Sequence, residues 1–155
     1  ITTTELKNKV IGYERREVFD HTGLGQIIPP EEVVFTEPGR YVEMLRHIQG
    51  HKYFMNQDEE AEIPLLQAAS SWYGNLYKPI VRIIQQEGIL SRFPGRTKAD
   101  LYIWIIKHWD SLKKEHGEDF PLEKAVMDYS NRYGESLKRQ LRKFFSTLLD
   151  RILGR

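Results

Sequence analysis

The 155-residue chain contains no cysteine. That excludes a disulfide framework, a thiolate zinc site and a cysteine nucleophile, and it fits a reducing, cytoplasmic setting. An excess of charge of one sign is also missing. Twenty-three Lys and Arg stand against 22 Asp and Glu, a formal net charge of +1. A bulk electrostatic grip on nucleic acid is not expected from that balance, so any such binding rests on local basic patches. No stretch approaches the roughly 20 apolar residues of a membrane span. The N-terminus, Ile1-Thr2-Thr3-Thr4, has no basic segment followed by an apolar one and does not read as a signal peptide. The first residue is not Met, as expected of a piece of a longer protein. Alternating stretches are scarce, and only Val33-Val34-Phe35 suggests a short extended segment. Nucleophile-elbow, Walker A and dinucleotide-glycine patterns are all absent, and Gly23-Leu24-Gly25 is too short to make a phosphate loop.

What is present is helical periodicity. Hydrophobic residues make up 40% of the chain and charged residues 29%, a globular balance. Leu6, Val10, Tyr13 and Val18 predict a first helix over 5–19, ended by Gly23 as a left-handed cap. Pro29-Pro30 forbids helix in the segment that follows. From Tyr41, the residues Val42, Leu45, Ile48 and the pair Tyr53-Phe54 recur at helical spacing. Pro64 suits the first turn of another helix, with Ala68, Ala69, Trp72 and Leu76 on its apolar face and a kink or restart at Pro79. Helices over about 98–116, 121–133 and 135–153 complete an all-α chain. Trp72, Leu101, Ile105 and Trp109 are expected in its core.

The chain also resembles itself. Pro38-Gly39-Arg40 recurs as Pro94-Gly95-Arg96, and each is followed by an apolar helix that reaches a histidine, His51 or His108. From each histidine to the next helix-opening proline, Pro64 or Pro121, is 13 residues (64 − 51 and 121 − 108). Leu65 and Leu122, Ala68 and Ala125, and Trp72 and Tyr129 continue the match. This register predicts two duplicated helix-loop-helix units, 35–90 and 91–134, packed together. An N-terminal helix and connector over 1–34 precede them, and a basic amphipathic helix over 135–155 follows, in one compact domain. In the repeat the histidines have a structural role, as hydrogen-bonding groups late in a helix.

Few residues carry a chemical signal. His47 and His51 share a helix face with Glu43, a spacing seen at metal sites, but Ile48 stands where a zincin pattern needs Glu, and no third ligand is evident. The second unit has Trp104 in the place of His47. No metal, cofactor or catalytic residue is therefore assigned. Asp58, Glu59, Glu60 and Glu62 read as a solvated loop. Arg40 and Arg96 stand at helix N-termini and suit two related anion sites, or else ion pairs with acidic neighbours such as that loop. The last helix is the clearest asymmetry. Over 136–155, Lys138, Arg139, Arg142, Lys143, Arg151 and Arg155 face only Asp150, a balance of +5. Its stripe of Leu137, Leu141, Phe144, Leu148 and Ile152, widened by Phe145 and Leu149, is expected to close part of the core and to leave Phe144 or Phe145 for a second copy of the chain. A nucleic acid and a membrane surface are the other partners that such a helix suits.

Three blocks carry a wider likeness: Gly50-His51-Lys52-Tyr53-Phe54, the run from Ala69 to Pro79, and the run from Phe93 to Trp104. Together they resemble the helical C-terminal region of bacterial ParB-like nuclease and transcriptional-regulator proteins. Tyr13 to Phe19 and Thr22-Gly23-Leu24 fit the connecting segment of the same proteins, so the likeness covers most of 5–133. In that family the recognisable chemistry lies in an N-terminal domain with an Asp-Gly-x-x-Arg type motif, which this chain lacks. The resemblance therefore implies an appended helical module and transfers no nuclease or nucleic-acid residue. The expected function is a non-enzymatic regulatory or self-association module beside a ParB-like domain. The alternative is a nucleic-acid-binding module that uses Lys138, Arg139, Arg142, Lys143 and the two Pro-Gly-Arg loops.

Overall fold

The computed structural model describes residues 1–57, 60–135 and 137–154, with the side chains of 137–141 left out. Among the described residues the chain is all-α, with no strand. Helix α1, Thr3–Thr22, opens on a reciprocal cap in which the Thr2 hydroxyl accepts from the Glu5 N–H and the Glu5 carboxylate accepts from the Thr2 N–H. It ends on Gly23 at φ 77°, the left-handed cap read from the sequence. The helix is longer than the predicted 5–19, and its stripe is only half used. Val18, Phe19 and Thr22 are buried, whereas Leu6, Val10 and Tyr13 are exposed.

Helix α2, Arg40–Asn56, follows two short 3-10 turns and starts directly after Gly39. Helices α3, Leu65–Trp72, and α4, Lys78–Gln86, are joined without a break by a π-helical turn, Tyr73–Tyr77. In that turn the Lys78 N–H bonds the Tyr73 carbonyl, five residues back. Pro79, which has no N–H to donate, sits just after it in the first turn of α4, so the restart expected at Pro79 takes the form of the π turn. Helix α5, Lys98–His116, begins with a second reciprocal cap, between Thr97 and Asp100. It is the central helix. Ala99, Leu101, Tyr102, Ile103, Ile105 and Ile106 are all buried, so it is apolar on nearly every side. Helix α6, Leu122–Tyr133, packs on α5, and α7, Leu137–Leu153, comes last.

A single core runs from Val18 to Val126 through all of these elements up to α6. Three sequence expectations change here. Val33–Phe35 makes no strand. It is a buried extended connector whose backbone is satisfied by side chains, the Tyr41 hydroxyl donating to the Val33 carbonyl at 2.9 Å and the Thr97 hydroxyl to the Val34 carbonyl. Trp109 is half-buried, because its indole N–H reaches the Phe120 carbonyl at the end of the following loop, 2.8 Å away. Tyr53 and Phe54, at the end of α2, face outward, since no element packs over that last turn.

At the matched positions the two helix pairs are locally alike. Gly39 and Gly95 both take left-handed φ, 87° and 76°. Pro64 and Pro121 both stand one place before their helix, as caps and not within its first turn, at φ −60° and −65°. His51 and His108 each bond the side chain 20 residues further on, Ser71 at 2.9 Å and Asp128 at 2.6 Å. The pairs differ after that point, for α3 continues through the π turn into α4 whereas α6 stops at Tyr133.

Trp72 is fully buried, its indole N–H donating to the Tyr102 oxygen at 2.9 Å, with the Tyr77 ring centroid 5.3 Å away. Trp72→Ala is expected to cost about 3–5 kcal/mol in denaturant melts, the usual range for a buried large aromatic. A loss below about 1 kcal/mol would contradict its place in this core.

Candidate functional site

The two Pro-Gly-Arg turns meet. Glu37 accepts from the Arg40 guanidinium at 3.0 Å and from the Arg96 guanidinium at 2.6 Å. Arg40 also reaches Glu43 at 2.5 Å, and Lys107 closes on the second Glu43 oxygen at 2.9 Å. Arg96 further donates to the Thr36 hydroxyl at 3.1 Å and lies over the Trp104 ring, 5.1 Å from its centroid. The hydrogen bond from Arg96, with that from Arg40 behind it, holds the Glu37 carboxyl below the usual carboxylate range. At Glu43, burial works in the opposite direction, but Lys107 and Arg40 outweigh it and its carboxyl is also lowered. Among the described residues, the carboxylates facing Arg40 and Arg96 come from Glu37 and Glu43, and Glu62 pairs with Lys52 instead; Asp58 and Glu59 lie outside the described residues. Of the two readings open for these arginines, related anion sites or ion pairs with acidic neighbours, the structure shows ion pairs, and both arginines share the Glu37 carboxylate.

The histidines that shared a face are likewise engaged. His47 Nδ1 lies 2.8 Å from the Tyr102 hydroxyl. With the Tyr102 oxygen accepting from Trp72, its own hydrogen is placed to donate to His47 Nδ1, the arrangement of a neutral imidazole protonated on Nε2. Burial lowers the pKa of His47, and the geometry favours the same neutral form. Burial also lowers His51, whose Nε2 faces the Ser71 hydroxyl while Asn75 donates to that same oxygen at 3.1 Å. His108 differs, with Nε2 toward the Asp128 carboxylate and its ring edge-on to Tyr129 at 5.6 Å. Among the described residues no three His, Asp or Glu side chains converge as a metal-binding group.

The remaining candidates lie on α7. Lys138 and Arg139 fall outside the described side chains. Arg142 is exposed, and Lys143 pairs with Glu135. The root of the helix is anchored. The Glu135 N–H donates to the Arg92 carbonyl at 2.8 Å, and Arg92 Nε donates back to the Glu135 carbonyl at 3.0 Å. Gly134 permits this closeness, since a Cβ there would stand 2.6 Å from the Ser130 carbonyl oxygen and 3.1 Å from Arg92 Cβ. Beyond the root, Phe144, Phe145, Leu148, Leu149, Ile152 and Leu153 are 41–69% exposed. Leu137 and Leu141 lie outside the described side chains, and none of the described residues of this stripe joins the core, whose described members all come from the segments before α7.

The other open feature was not singled out in the sequence. A groove of about 600 Å³ runs along the last turns of α2 and the start of α3, lined by Gln49, Lys52, Tyr53, Asn56, Glu62 and Ile63–Leu65. Tyr53 and Phe54 stand beside it, 62% and 70% exposed, their rings edge to face. The available signal was local. An aromatic pair in the last turn of a helix, followed by a polar run, has no later element of its own to cover it.

No family model, curated protein or solved structure matches the chain.

The neutral state of His47 sets a pH dependence. Its folded pKa is depressed from 6.5, so its contribution to stability is present above pH 6.5 and is lost as the pH falls through the lower folded value. His51 acts in the same direction. Urea melts are expected to show stability falling from pH 7 to pH 5, and less steeply in His47→Gln. Equal slopes in the two proteins would show that His47 does not titrate with folding.

Proposed function

We propose that the chain is a non-enzymatic helical module that works by association, with α7 as its contact element and a second copy of the chain as its partner. The observation that carries this reading is the exposed apolar face of α7, none of whose described side chains joins the core. The groups with catalytic potential also support it, for His47, His51, His108, Glu37 and Glu43 all bond to neighbours inside the fold. The resemblance to the helical region of ParB-like regulator proteins supports reading the module as an appended part of a longer, regulatory chain. The two helix pairs are read as copies of one unit, on the support of their 13-residue spacing and of histidine bonds that both span 20 residues.

The basic side of α7 supports a second reading, nucleic-acid binding through Arg142 and Lys143 together with Lys138 and Arg139. Arg40 and Arg96 weigh against it, since both are held by Glu37. Among the described residues no helix is long and apolar enough to cross a membrane.

Sedimentation of the intact chain at tens of micromolar is expected to show a dimer. Phe145→Asp is expected to show a monomer of unchanged helix content, because Phe145 contributes nothing to the core. A chain ending at residue 136 is expected to keep its melting transition. A monomeric intact chain would sink self-association, and DNA or RNA affinity falling steeply with salt would then establish the second reading.

A further inference from the structure

Self-association through α7 needs an acceptor surface, and the geometry points to the groove between the end of α2 and the start of α3, which receives the α7 helix of a second copy. This inference rests on the association proposed above and adds where the helix binds. Three observations meet there. The groove has an apolar wall in Ile63, Pro64 and Leu65, and Tyr53 beside Phe54 offers an exposed aromatic edge. These match what α7 presents, a face of Phe144, Phe145, Leu148, Leu149 and Ile152 with no cover of its own.

The second observation is charge. Over 136–155 the balance is +5, and a helix pairing with an identical basic helix would bring like charges together. The groove carries no such positive excess, and its rim adds a negative charge. Glu62 lines it with its side chain 80% exposed, and exposed Glu60 stands two residues earlier in the same loop. Lys52 is the one cation among the lining residues, and Glu62 already neutralises it at 2.6 Å. The third observation is reach. α7 is 17 residues long, about 25 Å at 1.5 Å per residue, and it follows a root pinned by Arg92. An arm anchored at its base and apolar along its length suits reciprocal exchange, each copy placing α7 in the other's groove. That arrangement closes with twofold symmetry and leaves no arm unpaired.

Complementation between full-length variants tests this. Tyr53→Asp disables the groove and Phe145→Asp disables the helix, both at exposed positions, and circular dichroism checks that each stays folded. Each variant alone is expected to dimerise at least tenfold more weakly than the parent chain. Their equimolar mixture is expected to recover heterodimers, because one intact helix and one intact groove still meet. Glu62→Lys is expected to weaken the parent dimer in the same direction. If Tyr53→Asp dimerises like the parent while Phe145→Asp does not, the helix pairs with its own copy, and the groove is overturned while self-association stands. If the parent chain is monomeric and instead sediments with phosphatidylserine vesicles but not with phosphatidylcholine vesicles, a lipid surface takes the helix and both readings fall.

Discussion

Much of the fold depends on one buried carboxylate. Asp100, 2% exposed, accepts from the Thr36 N–H at 3.0 Å, from the Thr36 hydroxyl at 2.7 Å and from the Thr97 N–H at 3.0 Å. Hydrogen bonds to a charged acceptor contribute roughly 1.5–3 kcal/mol each. Here they do three things at once. They cap α5, fix the connector before α2 against the start of α5, and so place Glu37 between Arg40 and Arg96. The anchor works with the buried side chains of Val33 and Phe35 and with the bonds from Tyr41 and Thr97 to hold this segment, and it keeps Glu37 as the central acceptor of the ion network.

A second chain of hydrogen bonds organises the interior. Trp72 donates to Tyr102, and Tyr102 to His47, which links α3 to α5 and α5 to α2 through three side chains. Tyr77 packs on both Trp72 and Tyr102 at 5.3 and 5.1 Å, and its own hydroxyl donates to the Glu32 carbonyl. Burial pushes the hydroxyls of Tyr77 and Tyr102 far above the ordinary tyrosine range, so both stay protonated donors at neutral pH. Polar groups in this core are therefore paired with one another, and the open chemistry of the molecule is left to its surface, above all to α7.

The sequence made most helices legible because their ends carry strong signals. Gly23, Gly39, Pro64, Gly117 and Pro121 all mark boundaries where the structure has them. The cap from Thr97 to Asp100 was not read from the sequence, and its role beyond α5 has no local pattern, since its partner Thr36 lies 61 residues earlier than Thr97. The outward faces were misread for a related reason. Leu6, Val10, Tyr53 and Phe54 have the spacing of a buried stripe, but spacing reports only that residues share a side of a helix. Whether another element arrives to cover that side is decided by the whole topology. The same holds for α7, none of whose described stripe residues joins the core.

The π turn has a consequence for how this chain can vary in length. The buried positions before it are Ala68, Ala69 and Trp72, and those after it are Tyr77, Ile80, Val81 and Ile84. The step from Trp72 to Tyr77 is five residues, one more than an α-helical face allows, and the wider turn absorbs the extra one. Each residue added to or removed from an α-helix turns everything beyond it by about 100°. Losing one residue from Tyr73–Tyr77 would convert the turn to ordinary helix and let both flanking faces stay inward, less one aromatic. Losing one residue from Lys78 to Ile83 would instead swing Ile84 off the core. The turn is thus the one place along this long helix where a change of length need not become a change of direction.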